Sequence, residues 1–183
     1  MPKIVLSAEP LIDGPTALRP WRESDIDAIV AACQDPEIVR WTSVPEQYGE
    51  VDARLYLLQR HESSHAGATA PFAIVSSKDL DQLLGSISLL RPAWEHARAE
   101  VGYWLAREAR GQGHATRALR LIAAFGFESL GLERIELLAA SGNPGSQRVA
   151  ERGGFTREAV LRSYAQGKDG RLDMVSFSRL AGD

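Results

Sequence analysis

The sequence predicts an α/β protein whose central sheet is antiparallel in its middle and gains a parallel pair in its second half. Three observations predict this fold class. Apolar residues recur with a helical period over residues 26–33, strand-like runs separated by turns fill residues 72–105, and a strand–helix–strand run covers residues 99–140. Because a β-α-β crossover returns the chain in the same direction, its two strands should be parallel, with a right-handed connection.

Length, composition and charge narrow the class of protein. The chain has 183 residues, of which 44% are hydrophobic and 25% are charged, as expected for one globular domain spanning residues 1–183. Its net charge of −3 argues against nucleic-acid binding, which needs a dense cationic surface. No apolar run approaches the roughly 20 residues of a spanning helix, and residues 1–6 lack the pattern of a secretory signal. We therefore expect neither nucleic acid nor membrane as a partner.

The single cysteine, Cys33, lies on the apolar stripe of the first predicted helix. This stripe consists of Ile26, Ile29, Val30 and Cys33, and Ser24 is the expected N-cap. We expect Cys33 to pack in the core rather than to act as a nucleophile. One cysteine excludes an intramolecular disulfide and fits a reducing compartment, so we expect a cytoplasmic protein.

The other elements follow in order along the chain. A strand over 16–21 precedes the first helix, and a second helix over 49–61 follows it. Turn-rich segments then separate three strands, so consecutive antiparallel pairing is the simplest topology. A long helix ends at Gly131, a typical C-cap, and the proline after Asn143 opens the last helix. The later strands are expected at 72–75, 84–89, 99–105, 134–140, 155–161 and 172–179, and the later helices at 114–130 and 143–153.

The turn before the long helix is the segment most informative about function. Gly111 and Gly113 stand directly before His114, the first residue of that helix. Glycines let backbone N–H groups converge without side chains between them, and a helix N-terminus adds partial positive charge. Arg110 adds a full charge at the entrance of the turn. Such a turn suits a phosphate or a pyrophosphate.

Two other phosphate-binding turns do not match this segment. A P-loop requires Gly-x-x-x-x-Gly-Lys-Ser/Thr, which the sequence lacks. A dinucleotide-binding fingerprint requires a third glycine, where this chain has Thr116. A glycine turn that merely connects two elements is the remaining alternative.

With this turn the sequence resembles the GNAT superfamily of N-acetyltransferases, and more closely its RimJ/RimL-like group. The segment Arg110–Ala115 matches the pattern Arg/Gln-x-x-Gly-x-Gly/Ala. Other segments resemble the same family in the same order along the chain: Leu18–Pro20, Leu84–Ile87, Glu100–Leu105, Asn143–Ser146 and Gly153–Phe155.

The resemblance implies a mostly antiparallel twisted sheet, flanked by helices and splayed open between its fourth and fifth strands. Acetyl-CoA would lie in this cleft as the acyl-donor cosubstrate. Backbone groups facing its pantetheine arm would belong to Trp104, Leu105 and Ala106, and Asn143 would contact the arm near the thioester. The residues implied at the pyrophosphate are Arg110, Gly111, Gln112, Gly113, His114 and Ala115.

Acyl transfer to an amine needs a base for the acceptor and stabilisation of charge on the thioester oxygen. Glu100 is the predicted base, because it lies four residues before Trp104 and hence on the same face of its strand. A solvated strand carboxylate is the alternative. His114 is a rival by its ordinary pKa, but its place in the first helical turn favours a pyrophosphate-side or solvent-facing position.

Ser146 is the residue that the resemblance offers as a donor to the leaving thiolate. Its hydroxyl could instead serve the unpaired N–H groups of the helix that starts after Asn143. Many family members use a tyrosine further along this helix, where the chain has Val149, Ala150 and Glu151. Protonation by water and direct transfer are therefore the alternatives.

Aromatic residues between the first two helices are candidates for the acceptor side of the cleft. Trp41 and Tyr48 lie in a region that walls this side in the resembling fold, and core packing is an equal alternative. His61 and His65 have a spacing compatible with a metal ion, but no third ligand is evident nearby. We expect surface histidines and no metal.

These features predict an N-acetyltransferase that transfers the acetyl group of acetyl-CoA to a primary amine by direct transfer in a ternary complex. The acceptor would be a protein N-terminal α-amine or a small-molecule amine. Transfer of a longer acyl group and a non-catalytic acyl-CoA sensor are the alternatives. The sequence leaves both a monomer and a homodimer open.

Overall fold

A computed structural model describes residues 4–183, so part of the prediction made for residues 1–6 lies outside the described residues. The strands are β1 (Leu11–Asp13), β2 (Thr16–Arg19), β3 (Thr69–Ser76), β4 (Leu83–Ala93), β5 (Arg98–Leu105), β6 (Arg134–Ala140), β7 (Thr156–Gly167) and β8 (Gly170–Leu180). The helices are α1 (Ile26–Cys33), α2 (Pro36–Trp41), α3 (Glu50–His65), α4 (His114–Leu130) and α5 (Pro144–Arg152). All eight strands form one sheet in the order β1-β2-β3-β4-β5-β6-β8-β7.

The middle of the sheet is antiparallel, as predicted, because β2, β3, β4 and β5 pair consecutively. Two elements were not predicted. The first is β1, which adds an edge strand beside β2. The second is the short helix α2, which begins at Pro36 and has Asp35 as its N-cap, with the Asp35 side chain accepting from the Glu37 N–H. Proline at the first helical position and aspartate before it are both typical of a helix start.

The prediction of Ser24 as an N-cap is wrong. A short 3-10 turn, Glu23–Asp25, comes before α1, and the Asp25 carboxylate accepts the N–H of Arg22 at 2.8 Å. The same carboxylate receives two hydrogen bonds of 2.9 and 2.7 Å from Arg19 of β2, and both side chains are 2% exposed. A buried ion pair therefore joins the start of α1 to the sheet. Because both charges are removed from water, the loss of either partner would leave the other charge buried and uncompensated.

Strands β5 and β6 are parallel and are connected through α4, as predicted. Their pairing covers only Arg98–Glu100 opposite Arg134–Glu136. Because β5 continues to Leu105 and β6 to Ala140, the two strands part beyond Glu100. They correspond to the fourth and fifth predicted strands, since β1 was not counted, so the predicted splay is confirmed.

Two apolar clusters lie on opposite faces of the sheet. Helix α4 covers one face with Leu119 and Ile122, against sheet residues that include Val101. Helices α1 and α3 cover the other face, where Trp104 joins the second cluster. Val101 and Trp104 differ in face because side chains alternate along β5. Cys33 is 2% exposed in the second cluster and burial raises the pKa of its thiol to about 11, which confirms its packing role.

Across residues 4–183, none of the helices combines the length and the apolar character needed to cross a bilayer.

Candidate functional site

A cleft opens where β5 leaves β6, and the free edge of β5 lines it. The other edge of β5 stays paired with β4, and beyond the strand the Ala106 N–H donates to the Leu84 carbonyl at 2.9 Å. Backbone groups of successive residues in an extended chain point to alternate edges. The backbone groups of Trp104 and Ala106 therefore face β4. The backbone groups of Tyr103 and Leu105 face the cleft.

This alternation corrects the predicted contacts to a pantetheine arm. Of the three residues expected there, Leu105 alone turns its backbone groups toward the cleft. The Ala106 N–H is already bonded to β4, and the Trp104 side chain packs in the second cluster. The sequence reasoning missed Tyr103, although counting by two from Leu105 would have found it.

The glycine turn leaves a group of backbone N–H donors without partners inside the helix. Gly111 and Gly113 have φ angles of 76° and 81°, in the left-handed region that favours glycine. The hydrogen bond that closes the first turn of α4 runs from the Arg117 N–H to the Gly113 carbonyl at 3.1 Å, so residues 114–116 have no intrahelical acceptor. A Cβ built on Gly111 would meet no atom within 4 Å. Open space above converging donors fits a diphosphate.

The Arg110 guanidinium does not stand free at the entrance of the turn, where it was expected. It donates to the Leu105 carbonyl at 3.0 and 3.2 Å and forms an ion pair of 3.0 Å with Asp35. Arg110 therefore ties the turn to the start of α2. The cation beside the turn is Arg117, which donates to the Gln112 carbonyl at 3.2 Å. The sequence signal for Arg117 is its position one helical turn after Gly113.

His114 is neither solvent-facing nor directed at the turn, which corrects both sequence expectations. Its side chain is buried, and Nδ1 lies 2.8 Å from the Thr16 hydroxyl of β2. The side chain thus joins the N-terminus of α4 to the sheet, and the backbone N–H is the part of His114 that the turn can offer. Burial, and then the nearby Arg117, lower the pKa of the imidazole below its ordinary 6.5.

This lowered pKa predicts that His114 makes the protein less stable in acid. The unfolded chain binds a proton near pH 6.5, whereas the folded chain keeps the imidazole neutral to lower pH. Acidification below that value therefore favours unfolding, and the stability that this group contributes is complete above it. We expect the free energy of unfolding, measured in urea, to fall less steeply with acidification in His114→Asn than in the parent. Parallel pH profiles would contradict the assignment.

Glu100 lies at the vertex of the cleft, on the last residue of β5 that pairs with β6. Its side chain is 22% exposed and forms an ion pair with Arg91 of β4. The residue opposite on β6, Glu136, is held by two cations, Arg98 at 3.0 Å and Arg134 at 2.9 Å. Glu100 is thus a partly buried, ion-paired carboxylate beside the open end of the strand pair.

The start of α5 holds Ser146 near the other side of the cleft. The Asn143 side chain caps the helix by accepting the Ser146 N–H at 3.0 Å. The Ser146 hydroxyl accepts a hydrogen bond of 3.2 Å from the Tyr103 hydroxyl of β5. The Asn143 side chain thus provides the cap, and the Ser146 hydroxyl is bonded to β5. The alternative, in which the Ser146 hydroxyl serves the unpaired N–H groups of the helix, is not observed.

The cap predicts that two replacements of Asn143 differ measurably in their free energy of unfolding. We expect Asn143→Ala to lower the free energy of unfolding by about 1 kcal/mol, because α5 loses its N-cap. Asn143→Asp keeps a carboxylate oxygen at the same place and should stay within about 0.5 kcal/mol of the parent. Urea unfolding of both variants checks this, and equal losses would mean that the cap contributes nothing.

Trp41 and Tyr48, the residues predicted on the acceptor side of the cleft, have different surroundings in the structure. The Trp41 ring reaches the loop before α5, since a Cβ built on Gly142 would lie 3.4 Å from its Cη2 atom. Tyr48 is partly buried and packs against the second apolar cluster, and burial raises the pKa of its phenol. The loop before α3 meets the turn between β7 and β8, where Lys168 donates to the Val44 carbonyl at 2.7 Å.

Within the part of the chain that the structure describes, no three metal-ligating side chains cluster. His61 and His65 are exposed, and Nδ1 of His65 lies 2.9 Å from the His61 carbonyl. A pocket of about 630 Å³ lies elsewhere, between α3 and residues 4–6, and none of its lining residues belongs to the glycine turn.

Comparisons with known proteins agree with this geometry. The acetyltransferase (GNAT) domain family matches residues 16–156. An uncharacterized N-acetyltransferase of Bacillus licheniformis, p20, is 29% identical over 163 residues, which are 89% of this chain and 91% of that protein. Two solved structures, at 18% and 21% identity, share the fold.

The first of these structures is RimL, the ribosomal L7/L12 α-N-protein acetyltransferase, in complex with coenzyme A. Its TM-score is 0.84, with 94% of this chain and 98% of that chain covered. The second is the spermidine N-acetyltransferase of Vibrio cholerae in complex with CoA and spermine. Its TM-score is 0.79, with 93% and 98% covered.

Proposed function

We propose that the chain, which belongs to the acetyltransferase (GNAT) family and is an N-acetyltransferase, acetylates a primary amine. The reaction takes place in the cleft between β5 and β6. The observation that carries the proposal is the parting of these strands beyond Glu100, next to the open turn at 110–115. Both substrates would be bound together, so that the acetyl group moves directly from acetyl-CoA to the amine. Acetyl-CoA supplies the activated acyl group.

The residues present fit a nucleotide thioester at one end of the cleft. The N–H groups at the start of α4 and the Arg117 guanidinium would hold the diphosphate, because both offer positive charge at an open surface. The backbone groups of Tyr103 and the Leu105 N–H would pair with the amide-containing arm, as another strand would, whereas the Leu105 carbonyl already accepts from Arg110. Asn143 keeps its amide N–H donors for that arm, since the cap uses only the oxygen.

Glu100 and Ser146 divide the proton chemistry between two sides of the cleft. As the new N–C bond forms and the C–S bond breaks, the acceptor nitrogen gives a proton to Glu100, directly or through water. The sulfur leaves as a thiolate, accepts a hydrogen bond from the Ser146 hydroxyl and takes its proton from solvent.

The acceptor we propose is a primary amine that enters past Trp41, either a protein α-amine or a small polyamine. Both classes are named among the structural relatives. The lone buried cysteine and the proposed cosubstrate support a cytoplasmic location.

An acceptor screen tests this function. Purified protein with acetyl-CoA should release free thiol when supplied with peptides bearing free N-termini or with polyamines, and mass spectrometry should find one acetyl group on the acceptor. Blocked peptides of the same sequence are the matched negative control. Calorimetric binding of coenzyme A without turnover of any amine would favour the non-catalytic sensor instead.

A further inference from the structure

Tyr103 makes a contact that the proposed reaction does not yet use. It stands beyond Glu100, on the part of β5 that no longer pairs with β6. Its ring nevertheless spans the gap on the helix side of the sheet, and its hydroxyl donates to the Ser146 hydroxyl of α5 at 3.2 Å. This hydrogen bond joins the strand on one side of the cleft to the helix on the other side.

The geometry leaves the hydroxyl proton of Ser146 free to donate a hydrogen bond. A hydroxyl has one proton and two lone pairs, and here one lone pair accepts from Tyr103. The Ser146 N–H is bonded to the Asn143 side chain, which fixes the backbone of this residue. Within residues 4–183, the Ser146 hydroxyl donates no hydrogen bond to another protein group and only accepts the one from Tyr103. That proton can therefore point away from Tyr103 and into the cleft.

The environment of Tyr103 favours the protonated phenol, which is the form that donates. The Tyr103 side chain is partly buried against the first apolar cluster, which α4 covers. Burial raises the pKa of the phenol, and the hydrogen bond to Ser146 opposes this effect. The phenol thus keeps its proton in neutral and mildly alkaline solution. A donor that stays protonated holds Ser146 in one orientation, since a hydroxyl that accepts from one side donates on the other.

We propose that Tyr103 is a positioning residue, which orients the Ser146 hydroxyl so that its O–H donates to the sulfur as the thiolate leaves. This inference rests on the proposed function and names the group that makes Ser146 effective. Tyr103 does not touch the reacting atoms, and no proton leaves it during the reaction. It lowers the cost of ordering Ser146 before the C–S bond breaks.

A double-mutant cycle tests the proposal. We expect Tyr103→Phe to lower kcat about 5- to 10-fold, because one hydrogen bond is lost, and to change KM for acetyl-CoA less than about twofold. Ser146→Ala should lower kcat by at least as much. The double variant should be no slower than Ser146→Ala alone, because Tyr103 acts through Ser146.

The chain provides a matched control in a second tyrosine–serine pair. Tyr56 and Ser86 share a hydrogen bond of 2.8 Å on the opposite face of the sheet. We expect Tyr56→Phe to keep the kcat of the parent while losing a similar buried hydrogen bond. Calorimetry with coenzyme A and thermal unfolding establish that each variant is folded and binds the cosubstrate.

Two results would overturn the positioning role while leaving the enzyme assignment intact. One is an unchanged kcat in Tyr103→Phe. The other is an equal loss when Tyr103→Phe is made in the parent and in Ser146→Ala, since the tyrosine would then act independently. Failure of the proposed function is distinct, because the parent itself would turn over no amine.

Discussion

Gly111→Asp is expected to bind coenzyme A about 30-fold more weakly than Gly111→Asn. Both side chains tolerate a φ of 76° better than other residues do, and a Cβ at this position meets no atom within 4 Å. The two variants therefore share backbone strain and shape and differ in one negative charge. A carboxylate near the proposed diphosphate site costs about 2 kcal/mol at the effective dielectric of a protein surface, which is roughly 30-fold in affinity.

Isothermal titration with coenzyme A at low and high salt measures this effect. The difference between the two variants should shrink at about 1 M salt, because exposed charges are then screened within roughly 3 Å. Similar unfolding temperatures would show that folding is unaffected. If both variants bind coenzyme A equally at low salt, the diphosphate does not lie at this turn and the binding assignment fails.

Glu100→Gln is expected to lower kcat/KM for the amine about 100-fold. The amide keeps the size of the side chain and can still accept a hydrogen bond from Arg91, but it loses the ion pair and cannot accept a proton from the acceptor. The residual rate should rise with pH, because the amine must then lose its proton to solvent before it attacks. Steady-state rates from about pH 6 to pH 9 measure both effects.

Glu136→Gln is the matched control, since Glu136 lies directly opposite Glu100 on β6 and is also paired with arginine. It has no proposed part in the reaction and should keep the parental pH profile. Equal losses in the two variants would trace the effect to the charge balance of this sheet face. Full activity of Glu100→Gln across the pH range would remove Glu100 as the base.

The bounds of α4 and β6 could be predicted because their signals are local. Gly113 before the helix, Gly131 after it and the apolar period between them place α4 at His114–Leu130, as observed. The strand predicted over residues 134–140 also matches β6. The short helix α2 was missed although Asp35 and Pro36 mark its start, because six residues give too little periodicity.

Side-chain roles at the site depended on partners far away in sequence. His114 is buried because Thr16, 98 residues earlier, offers a hydroxyl to its ring. Arg110 turns from the glycine turn to Asp35 because that carboxylate is buried and needs a cation. Tyr103 was overlooked because its hydroxyl meets Ser146, 43 residues later, only after the two segments pack.

The sequence by itself determined the order of most elements, the antiparallel middle, the parallel crossover and the glycine turn before a helix. Each follows from spacing, capping or backbone freedom within a few residues, and these act before any distant contact forms. The tertiary structure alone decided which backbone edge faces the cleft and which cation stands beside the turn. It also decided which hydroxyl reaches Ser146. Those outcomes depend on the sheet register and on the desolvation of charges, which residues distant in sequence settle together.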